Sequence, residues 1–181
     1  MTMKKLLFAL LTVGFMFIFT DQASAQWSVG ASYEIRNEEP TNGFGLRVER
    51  GILSMVPIVD FNMRAHFSFF NDDAELTSDN QTFSGEVDAY DFGLALTAGA
   101  QIALIKPYVG LGVGAESYDF DGESNSFDET NLFWNGFGGL ELSILPMIKP
   151  FVEYRISRIS GSDQIDFNNV SRVAFGVSLR F

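Results

Sequence analysis

The sequence predicts an all-β protein, a barrel of eight antiparallel strands connected up and down, on three observations. After residue 26, eight segments alternate between apolar and polar residues with a period of two, which is typical of strands with one apolar face. The connections between these segments are alternately short and long. The last segment keeps the alternation through to Phe181, with Arg172, Ser178 and Arg180 on its polar side. The predicted sheet therefore has one apolar and one polar side along its whole length.

The N-terminal residues are predicted to be a targeting segment. Residues 1–25 have a short basic start, an apolar run of 15 residues and an Ala-Ser-Ala cleavage site, the three parts of a secretory signal peptide. The apolar run is short for a transmembrane helix, which needs about 20 residues. We therefore expect two parts, a signal peptide over residues 1–25 and a barrel over residues 26–181.

Each strand is predicted from its own alternating pattern. The predicted strands span residues 27–36, 43–52, 58–70, 90–102, 108–118, 132–144, 151–160 and 169–181. In chain order, their apolar sides begin with Trp27, Phe44, Val59, Tyr90, Val109, Leu132, Val152 and Val173 and mostly continue at every second residue. Strands of about 9–11 residues or slightly more are the length that a tilted span of a bilayer requires.

The connections divide into two kinds. The short ones are predicted at residues 53–56, 103–106 and 145–149, each followed by a proline (Pro57, Pro107 or Pro150) that opens the next strand. Proline is tolerated at the first residue of a strand because it need not donate to the ladder there. The longer ones are predicted at residues 37–42, 71–88, 119–131 and 161–168. Short turns at one end and longer loops at the other are typical of up-and-down barrels in membranes.

The polar faces decide which side of the sheet is inside. A soluble lipocalin-like barrel would place the apolar side inward around a ligand. Here the polar sides carry seven acids against six arginines and one histidine: Glu34, Glu49, Asp60, Asp91, Glu116, Glu141 and Glu153, with Arg36, Arg47, Arg64, Arg155, Arg172, Arg180 and His66. Buried charges must be paired, and this set nearly neutralises itself. We therefore predict a transmembrane β-barrel, apolar outside and polar inside, whose lumen is filled by this ionic network. Arg64 with Asp60 or Asp91 is a candidate inward pair.

The last strand carries Phe175, Val177, Leu179 and Phe181 on its apolar side. This pattern resembles the C-terminal signature of bacterial outer-membrane β-barrels. The resemblance implies that these four residues are the assembly signal through which the barrel-assembly machinery recognises the chain.

Residues 26–181 as a whole resemble the small barrels of the OmpA transmembrane domain and OmpX type. The resemblance implies an integral protein of the Gram-negative outer membrane, exported through a cleaved signal peptide and surrounded by outer-membrane lipid and lipopolysaccharide. It also implies periplasmic termini and a monomer. We expect no peptidoglycan-binding domain of the kind that OmpA carries.

Composition and motifs narrow the function. Without the signal peptide the chain has 10 basic and 22 acidic residues, which excludes nucleic acid as a partner. It has no cysteine, and no cofactor is expected. His66 and Ser68 resemble the His-x-Ser pair of outer-membrane lipid A deacylases, but both are predicted to face the lumen, and no glutamate stands in the matching place shortly after them. A structural histidine is the preferred interpretation.

The long loops are the acidic part of the chain. Taken as residues 37–42, 71–88, 119–131 and 161–169, they contain 15 acids and no Lys or Arg. Asp119, Asp121 and Glu123 have the oxygen ligands that calcium prefers and are candidates for a calcium site, although their spacing does not match an EF-hand. We expect divalent-dependent association of these loops with lipopolysaccharide or with a cationic partner.

The function predicted from the sequence is a non-catalytic barrel with a structural or surface-interaction role through acidic extracellular loops. A narrow OmpW-like channel for small solutes is the second hypothesis. A lipid A modifying enzyme is the third.

Overall fold

Eight antiparallel strands pair in chain order, and β1 pairs with β8 to close the barrel. In this computed structural model the strands are β1 Trp27–Arg36, β2 Asn42–Leu53, β3 Val59–Ser78, β4 Gln81–Ala100, β5 Ile105–Gly122, β6 Ser126–Leu142, β7 Ile148–Ser160 and β8 Asn169–Arg180. The structure describes residues 27–53, 59–78, 81–122, 126–160 and 169–181. Within these ranges, no helix is long and apolar enough to cross a membrane. The predicted fold class is confirmed.

The first strand pairs with the last strand along the whole length of β1. Trp27 and Phe181 exchange two backbone hydrogen bonds of 3.0 Å, and the pairing of β1 with β8 continues from Ser28 to Arg36. The Arg180 N–H also donates a hydrogen bond of 2.9 Å to the carbonyl of Met147, which lies in the turn between β6 and β7. Because every strand has two neighbours, the barrel has no open sheet edge.

Two connections predicted as long loops, 71–88 and 119–131, are mostly strand. β3 and β4 stay paired as far as Ser78 and Gln81, and β5 and β6 stay paired as far as Asp121. The prediction was wrong here because it relied on apolar alternation. Beyond the apolar belt both faces of a hairpin meet polar surroundings, so backbone pairing continues without the alternating pattern. The acidic residues of these connections therefore lie on or beside projecting hairpins.

The prolines are placed slightly differently from the prediction. Pro107 and Pro150 are the third residues of β5 and β7, and Pro57 lies outside the described residues. The β4–β5 ladder begins only at Tyr108, and the β6–β7 ladder begins only at Phe151. Each proline therefore lies one residue before the first residue that pairs with the preceding strand. At that position a residue without an N–H donor is tolerated.

The apolar sides of the strands point outward, as predicted. Phe44, Leu111 and Leu132 are 67, 68 and 69% exposed, whereas the guanidinium-bearing Arg64 and Arg172 are only 1 and 2% exposed. An apolar outer wall around a polar interior is the arrangement that a lipid-exposed barrel requires.

Glycines on the inner face make room for the large inward side chains. A Cβ added at Gly110 would lie 2.3 Å from the Phe137 ring, and one added at Gly139 would lie 2.5 Å from the Tyr108 hydroxyl. Outward-facing Gly136 differs, because the nearest atom to its added Cβ is in Leu111 at 3.6 Å. The inner wall is therefore packed to contact, and the outer wall is not.

We predict that Gly110→Ala destabilises the folded barrel by about 1–3 kcal/mol, because the new methyl group overpacks the lumen against Phe137. Gly136→Ala is the matched control and should leave the free energy of unfolding unchanged or raise it by up to about 1 kcal/mol. The measurement is urea unfolding in detergent micelles. Equal stability of the two variants would show that the lumen is loosely packed.

Candidate functional site

The interior of the barrel holds two clusters of charged side chains, which we call the lower and upper clusters. The lower cluster lies towards the short turns and consists of Arg47, Glu49, Arg64, Tyr108, Glu141, Glu153 and Arg155. The upper cluster lies towards the hairpins and consists of Glu34, Arg36, Ser68, Asp91, Glu116 and Arg172. All of these side chains are buried. Charges at these positions are stable only in pairs, so the two clusters constrain the whole interior.

Arg64 is the centre of the lower cluster. Its guanidinium lies 2.7 Å from Glu49 and 2.5 Å from Glu153, which reach it from β2 and β7. Glu153 also accepts a hydrogen bond of 2.9 Å from the Tyr108 hydroxyl and pairs with Arg155 at 2.7 Å. Arg64 therefore connects side chains from opposite walls of the barrel across the lumen.

Arg47 fills the space next to this centre. It lies 3.6 Å from Glu49 and 3.8 Å from Glu141, and its Nη2 donates to the Ser178 hydroxyl at 2.7 Å. Its guanidinium stacks over the Phe151 ring, 3.4 Å from the ring centre. Charge–aromatic contact of this kind adds to the pairing, because the desolvated cation meets the negative face of the ring.

The upper cluster pairs two neighbouring carboxylates with two arginines. Asp91 and Glu116 face each other across β4 and β5 and are 1 and 0% exposed. Arg172 forms an ion pair with Asp91 and another, of 3.1 Å, with Glu34. Arg36 pairs with Glu116 at 2.6 Å. Each of the two adjacent carboxylates thus has its own guanidinium, which offsets their mutual repulsion.

His66 and Ser68, the pair that resembles a deacylase motif, are enclosed by the barrel wall. They are 3 and 1% exposed. The Ser68 hydroxyl accepts a hydrogen bond from Arg172 at 3.2 Å, and the His66 Nε2 lies 3.8 Å from Asp91. No hydrogen bond between His66 and Ser68 occurs, and neither side chain reaches the outer wall where a lipid substrate would lie.

Little open space remains around the lower cluster. The cavity bounded by Arg47, Glu49, Arg64, Tyr108 and Glu141 has a volume of about 10 Å³. One water molecule needs about 10–15 Å³ of such space. This level of the lumen is therefore closed by side chains to anything larger than a water molecule.

The structure places most of the predicted lumen residues inside and pairs them differently from expectation. Arg64 was expected to pair with Asp60 or Asp91, and it pairs with Glu49 and Glu153 instead. Asp60 lies near the short turns with its side chain 56% exposed and binds Lys106 at 2.7 Å.

Two other residues at this end differ from their predicted burial, which was a buried Arg180 in the lumen and a Lys106 in a short turn. Arg180 binds Glu141 at 3.1 Å and is only partly buried. Lys106, assigned from sequence to a turn, is buried. It lies two residues before inward-facing Tyr108, so residue parity alone would have placed it in the lumen.

The candidate calcium residues lie on the projecting hairpin. Asp119 is exposed on β5 and is opposite Asp88 on β4 and Asp128 on β6. The side chains of Asp121 and Glu123 lie outside the described residues. Among the side chains that are described, no group of three acids or histidines is arranged to hold a metal ion. Like charges directly opposite each other on neighbouring strands are destabilising. The aspartates in register here therefore oppose the pairing of the hairpin strands.

One acidic contact at the same end is well defined. The Thr41 hydroxyl and its backbone N–H both donate to the Asp72 carboxylate, at 2.7 and 2.9 Å. These two hydrogen bonds lower the pKa of Asp72, because they favour its charged form. The β1–β2 connection is thereby tied to the base of the β3–β4 hairpin.

Comparison with known proteins supports the same fold. The family model described as "Outer membrane protein beta-barrel domain" matches residues 7–181. No curated protein matches the sequence. Among solved structures, the chain is similar to Neisserial surface protein A, with a TM-score of 0.63 at 14% identity over 87% of this chain and 97% of that chain.

Two further solved structures are similar. OprG from Pseudomonas aeruginosa has a TM-score of 0.60 at 11% identity, over 87% of this chain and 96% of that chain. Ail, the attachment invasion locus protein of Yersinia pestis, has a TM-score of 0.57 at 17% identity, over 87% of this chain and 97% of that chain. At these identities the likeness shows the fold alone.

We predict that Arg64→Leu lowers the free energy of unfolding by about 3–5 kcal/mol, because Glu49 and Glu153 are left buried without their cation. Adding Glu49→Gln and Glu153→Gln to Arg64→Leu should recover part of the loss, since the stranded charges are then removed. Asp119→Asn is the control at an exposed acid and should change stability by less than about 0.5 kcal/mol. Urea unfolding of all the variants in one detergent provides the comparison. A loss below about 1 kcal/mol for Arg64→Leu would contradict a tightly paired lumen.

Proposed function

The chain belongs to the family of outer membrane protein beta-barrel domains, and on that premise we propose that it is a non-catalytic barrel with a structural or surface-interaction role. Membership of the family implies integral location in the outer membrane. The observation that carries the proposal is the closed lumen, in which Arg64 connects Glu49 and Glu153 across the barrel. With its interior occupied by structural side chains, the protein has its outer wall and its acidic hairpin end available for interaction.

The closed lumen argues against solute transport. A conducting pore needs a continuous water-filled path, whereas small eight-stranded barrels have interiors that side chains just fill. Here the guanidinium groups of Arg47 and Arg64 are also held against the rings of Phe151 and Phe137. Opening a path would require these ion pairs and ring contacts to separate together.

The position of His66 and Ser68 argues against catalysis on lipid. Both face the interior, and the Ser68 hydroxyl is bonded to Arg172 rather than to the histidine. A serine nucleophile needs an adjacent base within hydrogen-bond reach and access to its substrate. This pair has neither, which supports a structural role for the histidine.

The acidic hairpin end is the surface that we propose interacts with partners. Its 15 acids without a single Lys or Arg repel polyanions. In this it differs from Ail, which has been crystallised in complex with the heparin analogue sucrose octasulfate. The anionic lipopolysaccharide of the outer leaflet would approach these hairpins only with divalent cations between the two surfaces, and carboxylates are suitable ligands for calcium and magnesium.

Export and assembly are part of the same proposal. Residues 1–25 would be removed as a signal peptide, and the termini would be periplasmic, at the end of the barrel that carries the short turns. The barrel-assembly machinery would recognise Phe175, Val177, Leu179 and Phe181. The apolar side chains of the first three residues line the outer face of β8, which completes the closure with β1, and exposed Phe181 directly follows that strand.

We predict that the purified protein shows no steady conductance in planar lipid bilayers. Tyr108→Ala combined with Phe137→Ala is the control, because it removes two rings that fill the lumen and should raise the current. Both proteins are first checked for folding by the different gel migration of unheated and boiled samples. Stable conductance of the unmutated protein would overturn the closed lumen and favour the narrow channel for small solutes.

We predict that the folded barrel associates weakly with lipopolysaccharide in calcium, and that chelator or high salt abolishes the association. Neutralising Asp119, Asp121, Glu123, Asp128 and Glu129 to Asn or Gln should remove the calcium dependence. The matched control neutralises five acids of other loops, namely Glu38, Glu39, Asp73, Glu75 and Asp79. Binding to vesicles that contain lipopolysaccharide is measured in calcium and in chelator. If the two five-site variants behave alike, the loops form only a diffuse repulsive coat.

A further inference from the structure

The outer wall of the barrel has a groove along β6 and β7. Outward-facing Gly136 and Gly138 form its floor between the large side chains of Trp134 and Leu140. A Cβ added at either glycine would meet no atom closer than 3.6 or 3.7 Å. Packing within the chain therefore does not require glycine here, in contrast to Gly110 on the inner face. The two glycines open a depression in a wall that is mostly covered by large apolar residues.

The depression has the dimensions of an elongated binding groove. One part of about 410 Å³ is bounded by Trp134, Tyr154 and Ile156, and a second part of about 370 Å³ continues past Val152. The two parts share Gly138 and Tyr154. Since the lining is almost entirely apolar, the groove suits a hydrocarbon chain that lies along the barrel wall.

A cation lies at the hairpin end of the groove. Arg158 is exposed on β7, opposite Trp134 on β6 and Asn169 on β8, and it lines the groove together with these two residues. Within the described ranges, Arg158 forms no ion pair. It lies ten residues above the start of β7 at Ile148, about the height at which a tilted strand leaves the hydrocarbon layer. Arginine is well suited to phosphate, which it can bind with two parallel hydrogen bonds.

We propose that this groove binds one anionic glycerophospholipid through its phosphate, at the end of the barrel that carries the hairpins. An acyl chain lies over Gly136 and Gly138, and the phosphate is bound by the Arg158 guanidinium beside the Asn169 amide. The proposal rests on the location in the outer membrane and is independent of the calcium-bridged role of the loops. Direct contact between arginine and phosphate needs no divalent cation.

Charge favours a lipid over a second copy of the barrel as the occupant. In a two-fold symmetric dimer through this groove, the same face of each barrel would meet, which would bring the Arg158 side chains of both subunits together. Two like charges at the edge of a hydrocarbon layer repel strongly. An anionic lipid instead neutralises Arg158 and fills the apolar floor with one molecule.

Tryptophan fluorescence gives a direct test. The chain has two tryptophans, Trp27 and Trp134, so Trp27→Phe leaves only the reporter in the groove. The full chain, extracted from the outer membrane, is reconstituted into phosphatidylcholine vesicles that contain a minority of phosphatidylglycerol. Bromine is placed on the acyl chains of either lipid, since it quenches tryptophan on contact. We expect brominated phosphatidylglycerol to quench Trp134 well beyond its share of the lipid, in calcium and in chelator alike.

Three variants test the named residues. Arg158→Gln should reduce the preference for phosphatidylglycerol by about fivefold, the factor expected for one basic side chain near anionic lipid. Arg158→Lys should retain most of it. Gly136→Val with Gly138→Val should abolish the preferential quenching, whereas Ala31→Val, on the outer face of β1, should not. If the double variant does not fold, as judged by gel migration, Arg158→Gln alone decides the outcome.

Two results would overturn the proposed lipid site. Quenching in proportion to lipid content, unaffected by either Arg158→Gln or the filled groove, would overturn the site, because the lipid would then be an ordinary boundary lipid. Sedimentation that shows a dimer converted to a monomer by the two valines would also overturn it, in favour of a second copy of the chain. Preferential quenching with no calcium-dependent binding at the loops would support the groove and disprove only the proposed role of the loops.

Discussion

The pairing of charges inside a closed barrel is the constraint on which the rest of this structure depends. Glu153 illustrates it, because this one carboxylate is shared by Arg64, Arg155 and the Tyr108 hydroxyl, which come from three strands. A shift of one strand's register by one residue would turn every inward charge of that strand towards lipid. The penalty for such a shift is several kcal/mol for each buried charge that is stranded. The ionic network therefore fixes the register of the barrel as well as filling it.

The aromatic and glycine residues of the lumen follow from the same constraint. A guanidinium that is withdrawn from water needs contact on all sides, and rings such as Phe137 and Phe151 cover the faces that carboxylates leave free. Rings of this size fit in a small barrel only where the paired residue of a neighbouring strand has no side chain, as at Gly110 beside Phe137 and Gly176 beside Phe151. Charge, ring and glycine thus form one packed interior, and altering one of them disturbs the other two.

The sequence predicts the parts of the fold that depend on local periodicity. β1 was predicted with its exact bounds and the start of β8 was predicted correctly, because one face of each strand meets hydrocarbon throughout. The hairpin extension beyond Asn71 was missed, since the residues that continue the apolar side of β3, namely Asn71, Asp73 and Glu75, are polar. Glu49 lies directly opposite Arg64 on the neighbouring strand β2, but the pairing of Arg64 with Glu153 could not be deduced, because it crosses the lumen to β7, which is not a neighbour of β3. Parity assigns a residue to the inside, and only closure of the barrel in three dimensions decides which charges meet.

An interior that is filled for stability leaves function to surfaces that stability does not determine. Two such surfaces remain, the acidic hairpins and the wall around Gly136 and Arg158. They differ in the sign of their charge and in the distance over which that charge acts. The hairpin charges project into water, where salt screens them within about 8–10 Å. Arg158 lies at the edge of hydrocarbon, where screening is weak and a single charge counts for more. The hairpins can therefore hold back anionic surfaces at a distance, while the wall retains one anionic lipid at contact, and the two effects do not oppose each other.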